Sequence, residues 1–223
     1  MIPLRDVIPS RTYPGVTIAL IAINALAFLY EISLTDRQLN AFVTTWALVP
    51  ADFSWLTVVT SMFLHGGWLH AIGNMWFLWI FGDNVEDRVG HARYLVFYLL
   101  CGTVAALAQA FSDPTSMVPT IGASGAVAGV MGGYIVLYPH SRILTLLPIF
   151  VFIQLIEVPA AVFLGLWFVL QLFGGVGALM TTGRDTAGGI AFWAHVAGFA
   201  AGALLIKVFS RPERAAVEWW NDR

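Results

Sequence analysis

Long apolar stretches recur along this chain, and they limit its fold more than any other feature of the sequence. A helix needs about 20 predominantly apolar residues to cross a bilayer. Six segments approach or meet that length: residues 15–31, 58–81, 94–111, 121–138, 159–179 and 188–209. The stretch 143–157 is also apolar, but it has only 15 residues, contains Pro148 and runs into Pro159. It reads as a short re-entrant or interfacial segment leading into the fifth span. Hydrophobic residues make up 59% of the 223 and charged residues 11%, with a mean hydropathy of +0.79. Soluble domains carry about 25% charged residues. A soluble fold of this size has too little interior for so much apolar surface, so the bilayer is its solvent. The expected fold is therefore an all-α polytopic membrane protein of six transmembrane helices, in one domain over 1–223. The first run has no small-residue cleavage site and reads as a retained span.

Charge sets the expected orientation. With six spans, both termini share a side with the loops 82–93 and 139–142. That side holds Arg5, Arg11, Arg88, Arg93, Arg142, Lys207, Arg211, Arg214 and Arg223, and the other holds Arg37 and Arg184; nine and two account for all 11 basic residues. The positive-inside rule then puts the tails 1–14 and 210–223 in the cytoplasm. A seventh span would reverse the basic C-terminal tail. The long outer loop, 33–56, carries Phe42, Trp46, Phe53 and Trp55, which suit the headgroup zone, so this loop is expected to be partly embedded.

Several partner classes drop out. A net charge of −2 gives no basic field for nucleic acid. The single Cys101 sits in an apolar run and reads as a small buried residue. No cysteine pair has metal-ligand spacing, and H-E-x-x-H is absent. Neither paired intramembrane charges nor an internal repeat points to a transporter.

Polar residues at membrane depth are costly, and each is a functional hypothesis. They are His65, His70, Asn74, Ser124, Gln171 and His195, with Glu157 at a boundary. Ser124 falls near the outer end of the fourth span, in Gly122-Ala123-Ser124-Gly125. A serine there is most often a helix cap. Yet flanking glycines allow a sharp loop-to-helix turn, and a helix N-terminus leaves backbone N–H groups free for an oxyanion. His195 is expected about two turns into the sixth span. Gly125, Gly129 and Gly133 on one span and Gly198 and Gly202 on the other lay small residues along helical faces, so these spans can meet closely. That brings an imidazole within reach of the Ser124 hydroxyl, which needs a base to become nucleophilic. His70 and Asn74, four apart, share a face near the middle of the second span and can donate hydrogen bonds. His65 fits a structural role better. Gln171 reads chiefly as a bridge between helices.

These residues resemble the rhomboid intramembrane serine proteases. The resemblance rests on His65-x4-His70-x3-Asn74, Gly122-Ala123-Ser124-Gly125 and Ala194-His195-x2-Gly198-x3-Gly202, in the family's order. It extends through Gly82-x3-Glu86-x3-Gly90, Pro139 and Trp167-x3-Gln171, covering about 43–202, with a catalytic core of about 43–209. The resemblance implies Ser124 as nucleophile and His195 as base. It implies an oxyanion hole of His70, Asn74 and the Ser124 backbone N–H. It implies no metal or cofactor, single-span or multi-span membrane-protein substrates, and a gate formed by the fifth span and the outer loop. The short tails suggest a bacterial inner-membrane enzyme; oligomeric state is not fixed. The alternative is a catalytically silent binder of transmembrane helices. One departure stands out. Some members carry an aromatic residue four positions after the serine, stacked on the histidine; here that position is Ala128, so another residue must orient His195.

Overall fold

The computed structural model describes residues 1–149, 152–180 and 191–211. Strand β1 (Ile2–Asp6) precedes α1 (Gly15–Ser33), α2 (Asp36–Trp46) and the short α3 (Trp55–Thr60). After a single 3-10 turn (Ser61–Phe63) come α4 (Trp68–Val89), α5 (His91–Ser112) and α6 (Ser124–Leu137). A hairpin of β2 (Arg142–Ile149) and β3 (Phe152–Pro159) leads to α7 (Ala160–Met180), and α8 (Phe192–Phe209) follows. The expected start of the sixth span at Gly188, the outer Arg184, and Arg214 and Arg223 of the tail lie outside the described residues.

Helix α6 is the axis of the bundle. Every residue from Gly125 to Tyr134 is buried. It needs no lipid-facing side, because α4, α5, α7 and α8 surround it. Its contact with α8 is the closest, and the glycines explain why. A methyl group added at Gly198 or Gly202 would collide with the carbonyl oxygens of Gly125 or Gly129, and one at Gly132 with that of Phe199. The two backbones touch, as the small-residue faces required. On its other sides α6 packs Met131 and Tyr134 against Phe81, Tyr94, Phe97 and Tyr98, all buried.

Helix α1 buries one stripe, Thr17, Leu20, Asn24, Phe28 and Glu31, at the spacing of a single helical face. Its start is held by Glu86 of α4. The Glu86 carboxylate accepts from the backbone N–H groups of Val16 and Thr17 at 2.9 and 2.7 Å and from the Thr17 hydroxyl at 2.7 Å. These are the unpaired donors of a helix N-terminus, where an anion is favoured.

Among the described residues four helices are long and apolar enough to cross a membrane: α1, α5, α7 (through Gly177) and α8. The protein is an integral multi-pass membrane protein, mostly helical. The expected second span is corrected. It does not begin at residue 58; α3 and the turn end by Phe63, and α4 starts only at Trp68 and runs through Val89. The break falls at Gly66-Gly67. The stretch 82–89, expected as loop, is the C-terminal third of α4, so Asp83, Glu86 and Asp87 are helical rather than loop residues. The fourth segment is a helix of 14 residues, about 21 Å long at 1.5 Å per residue.

The segment 143–157 is also corrected, from a re-entrant or interfacial piece to a β-hairpin. Together with β1 it makes a three-stranded antiparallel sheet of order β1-β2-β3, so the chain is not purely α and the tail 1–14 contains a strand. β2 alternates: Ile143 and Thr145 are buried and Arg142 is exposed. Pro148 lies beyond the stretch that pairs with β1, which ends at Leu146, so its missing N–H costs that ladder nothing. The sheet is pinned to the bundle by Tyr134, whose hydroxyl donates to Asp6 Oδ2 at 2.7 Å, and by Trp76, whose indole donates to the Pro3 carbonyl at 2.7 Å.

Candidate active site

Ser124 is the first residue of α6, and Ala123 before it has helical dihedrals. Gly122 makes the turn into the helix with φ of +123°, a region costly for any residue with a Cβ. Space demands glycine here as well. An added methyl would stand 2.6 Å from His70 Nε2 and 3.6 Å from Ser124 Oγ. The same measurement places the His70 ring beside the serine. The Gly122 N–H donates to the Ser61 carbonyl at 2.9 Å, tying this turn to the segment before α4.

His195 lies in the first turn of α8, one turn from its start at Phe192 rather than two. Gln109 of α5 steadies that start, accepting from the Ala194 N–H at 3.3 Å. His195 Nε2 stands 2.8 Å from Ser124 Oγ. Residues 71 apart in sequence thus form a hydroxyl–imidazole pair of good hydrogen-bond length. Gly125 and Gly198 set the helix separation that permits it.

The other ring nitrogen, Nδ1, stands 2.8 Å from Gln171 Oε1 on α7. Trp167, one turn earlier on α7, lays its ring near the imidazole, centroids 5.8 Å apart and planes tilted by 40°. Ala128 is buried. Gln171 of α7 thus meets His195 of α8. The contact could have been suspected from Trp167 and Gln171 lying four apart, on one helical face, with an amide at membrane depth.

His70 and Asn74 sit in the first two turns of α4, not near the middle of a span. The Gly66 N–H donates to His70 Nδ1 at 3.4 Å. A neutral imidazole with Nδ1 accepting carries its hydrogen on Nε2, the nitrogen beside Gly122. Asn74 Nδ2 is buried and has no hydrogen-bond partner among the described residues. His65 precedes α4 instead of lying within the second span. Its backbone N–H donates to the Glu31 carboxylate at 3.0 Å, and its ring meets those of His70 and Phe28 edge-on at 5.2 and 6.3 Å. It ties the segment before α4 to the end of α1. Glu31 was not among the polar residues singled out in the sequence. The outer loop closes over this region through reciprocal backbone bonds of Leu48 and Thr120, at 3.1 and 2.8 Å. Among the described residues no group of three or more His, Cys, Asp or Glu side chains could hold a metal.

Chemically, the site presents a hydroxyl hydrogen-bonded to an imidazole, a second imidazole aimed past a glycine, and an amide donor without a partner. Such a set can activate an oxygen nucleophile and receive a negative charge. Comparison with known proteins agrees on the family. The Rhomboid domain matches residues 52–212. The chain is 31% identical over 128 residues to YdcA of Bacillus subtilis (strain 168), covering 56% of this chain and 63% of that one. It is 28% identical over 142 residues to Rhomboid protein 1, mitochondrial, of Saccharomyces cerevisiae, covering 60% of this chain and 40% of that one. It is 34% identical over 123 residues to Rhomboid protease GluP of Bacillus subtilis (strain 168), covering 53% and 24% respectively. The chain spans less than two thirds of the length of these relatives.

Proposed function

The chain belongs to the rhomboid family, and on that premise we propose that it is an intramembrane serine endopeptidase working through Ser124 and His195. The observation that carries the reading is the 2.8 Å approach of His195 Nε2 to Ser124 Oγ. Ser124 Oγ attacks the carbonyl carbon of the scissile peptide bond, and its proton passes to His195 Nε2. The carbonyl oxygen becomes an oxyanion, which accepts hydrogen bonds from His70 Nε2, Asn74 Nδ2 and the Ser124 N–H. The unpartnered Asn74 donor supports this role: a buried donor left unpaired costs free energy until something accepts from it. His195 returns its proton to the leaving amine, the C–N bond breaks, and the acyl group stays on Ser124. Water, deprotonated by His195, then hydrolyses the ester and restores the serine.

The substrates are transmembrane segments of membrane proteins, which reach the site laterally between α4 and α7. Helical peptide bonds are shielded, so substrates with helix-weakening residues near the site are favoured. Counting α4 and α6 with the four long apolar helices gives six spans in one domain over 1–223, with the catalytic core at about 43–209. The basic residues favour cytoplasmic termini and a bacterial inner membrane. Both termini then share the side of the β-sheet, and the dyad opens to the opposite side.

The test is cleavage of a tagged single-span substrate in liposomes, with labelling by a fluorophosphonate probe in parallel. Loss of both in Ser124→Ala, and of cleavage in His195→Ala, is expected, by a factor on the order of 10^4 or more. Labelling that survives Ser124→Ala refutes the dyad. Absence of both activities in the wild type favours a silent binder of transmembrane helices.

A further inference from the structure

We propose that Gln171 is the positioning residue of the catalytic base, an uncharged third member that sets the tautomer of His195. This rests on the reading of Ser124 and His195 as a protease dyad. A neutral imidazole carries one N–H and one lone pair. To take the serine proton, His195 must present the lone pair at Nε2, so the hydrogen must reside on Nδ1. Whatever accepts at Nδ1 fixes that choice. Gln171 Oε1, at 2.8 Å, is the acceptor in place. The reverse orientation of the amide would give the wrong tautomer. Its NH2 would donate to Nδ1, the imidazole hydrogen would move to Nε2 and point at Ser124 Oγ, and the serine would have no base.

A ring held by one hydrogen bond can still rock about its Cβ–Cγ bond. Trp167 limits that motion from the face of the ring, and it is itself held by Phe199 of α8, centroids 6.1 Å apart. Since Trp167 and Gln171 are four apart on α7, one helix presents an indole to the face of the imidazole and an amide to its edge. This answers the gap left by Ala128. An amide suits the location better than a carboxylate would. It supplies the acceptor without placing a charge at membrane depth. Its lack of charge also means that it stabilises the imidazolium less than an acid would, so Gln171 acts mainly on geometry and tautomer.

The experiment replaces Gln171 by Met, which has similar length and no acceptor of comparable strength, and by Glu, which accepts and adds charge. Among the described residues the titratable side chain facing His195 is His70, from α4; Ser124 of α6, Trp167 and Gln171 of α7, and Phe199 of its own helix carry no charge. In Gln171→Met, fluorophosphonate labelling of Ser124 per folded molecule and kcat are expected to fall about tenfold, the usual worth of one oriented hydrogen bond. KM for the single-span substrate should stay within about twofold. In Gln171→Glu, labelling should return toward wild type. The acid limb of the kcat/KM profile should also move to higher pH, because a carboxylate at Nδ1 favours the imidazolium. Wild-type labelling per folded molecule in Gln171→Met overturns the proposal and leaves the dyad standing. So does a loss in both variants with an unmoved acid limb, the result expected of a helix bridge alone. Labelling that survives Ser124→Ala would instead sink the dyad reading itself.

Discussion

The two ends of α4 keep buried polar groups in opposite ways. At the C-terminal end, Glu86 is fully buried and its carboxylate is saturated by Val16, Thr17 and His91, the last at 2.5 Å. At the N-terminal end, Asn74 is buried with its amide donor unpaired, and His70 turns a free nitrogen toward Gly122 and Ser124. One helix therefore carries a satisfied anion that holds another helix in place and unsatisfied donors that hold nothing in the resting fold. A buried group that has spent its hydrogen bonds on the protein contributes stability. A buried group that has not is a standing cost, and the site is where that cost has a use.

The contrast breaks most sharply at Asn74. Asn74→Ala should lower kcat by about 10²–10³, the usual loss for one oxyanion donor. Its unfolding midpoint in detergent should be unchanged or slightly higher, because an unsatisfied buried donor has been removed. A variant that unfolds early and cleaves normally per folded molecule would mean that Asn74 holds the fold and not the oxyanion. Glu86→Ala should behave in the opposite way. It leaves the first donors of α1 without an acceptor inside the bundle, and a loss of about 2–3 kcal/mol is expected. Specific activity of the molecules that remain folded should stay within about twofold. Unfolding of both variants followed by tryptophan fluorescence, beside cleavage corrected for folded fraction, decides the pair.

The same two ends differed in how far the sequence revealed them. The contact of Ser124 with His195 could be anticipated from residue type and spacing, because glycines at intervals of four along two helices let their backbones touch. The start of α4 could not be read from hydropathy. Residues 58–81 are predominantly apolar, and hydropathy does not register a backbone break; Gly66-Gly67 was the available signal. Placing α4 eight to ten residues too early put His70 and Asn74 at the wrong depth and left Glu86 in a loop. The hairpin at 142–159 reads in the sequence as a re-entrant or interfacial segment because its apolar run hides the alternation of Ile143 and Thr145, and its pairing with β1, more than 130 residues earlier, is not visible in local pattern. Gln171 was visible as an amide at membrane depth. Its spacing from Trp167 hinted at a shared partner, but which residue of α8 it meets depends on the rotation of both helices about their axes.

The smallest expected effect lies just beyond the satisfied end of α4, where the sheet meets the bundle, and it tests whether saturation alone makes a buried carboxylate favourable. Asp6 of β1 accepts from Tyr134 at 2.7 Å and from Asn84 of α4 at 2.8 Å, yet burial still holds its carboxyl above the usual carboxylate range. Desolvation outweighs the hydrogen bonds from Tyr134 and from the backbone of Ile8 and of Asp6 itself, which lower that value. A group whose folded pKa is raised contributes its full stability below its unfolded pKa, near 4, and loses it as pH rises through the folded value. Ionised Asp6 is therefore tolerated at neutral pH rather than favoured. Asp6→Asn keeps an acceptor for Tyr134 and removes the titration. The variant should match the wild type at about pH 4 and be equally or slightly more stable at pH 7, by under about 1 kcal/mol, since Asp6 is only partly buried. Unfolding midpoints of both proteins across that range give the answer. A variant that becomes less stable than wild type as pH rises would mean that the Tyr134 and Asn84 bonds outweigh desolvation, and Asp6 would then belong with Glu86 as an anion the fold is built to hold.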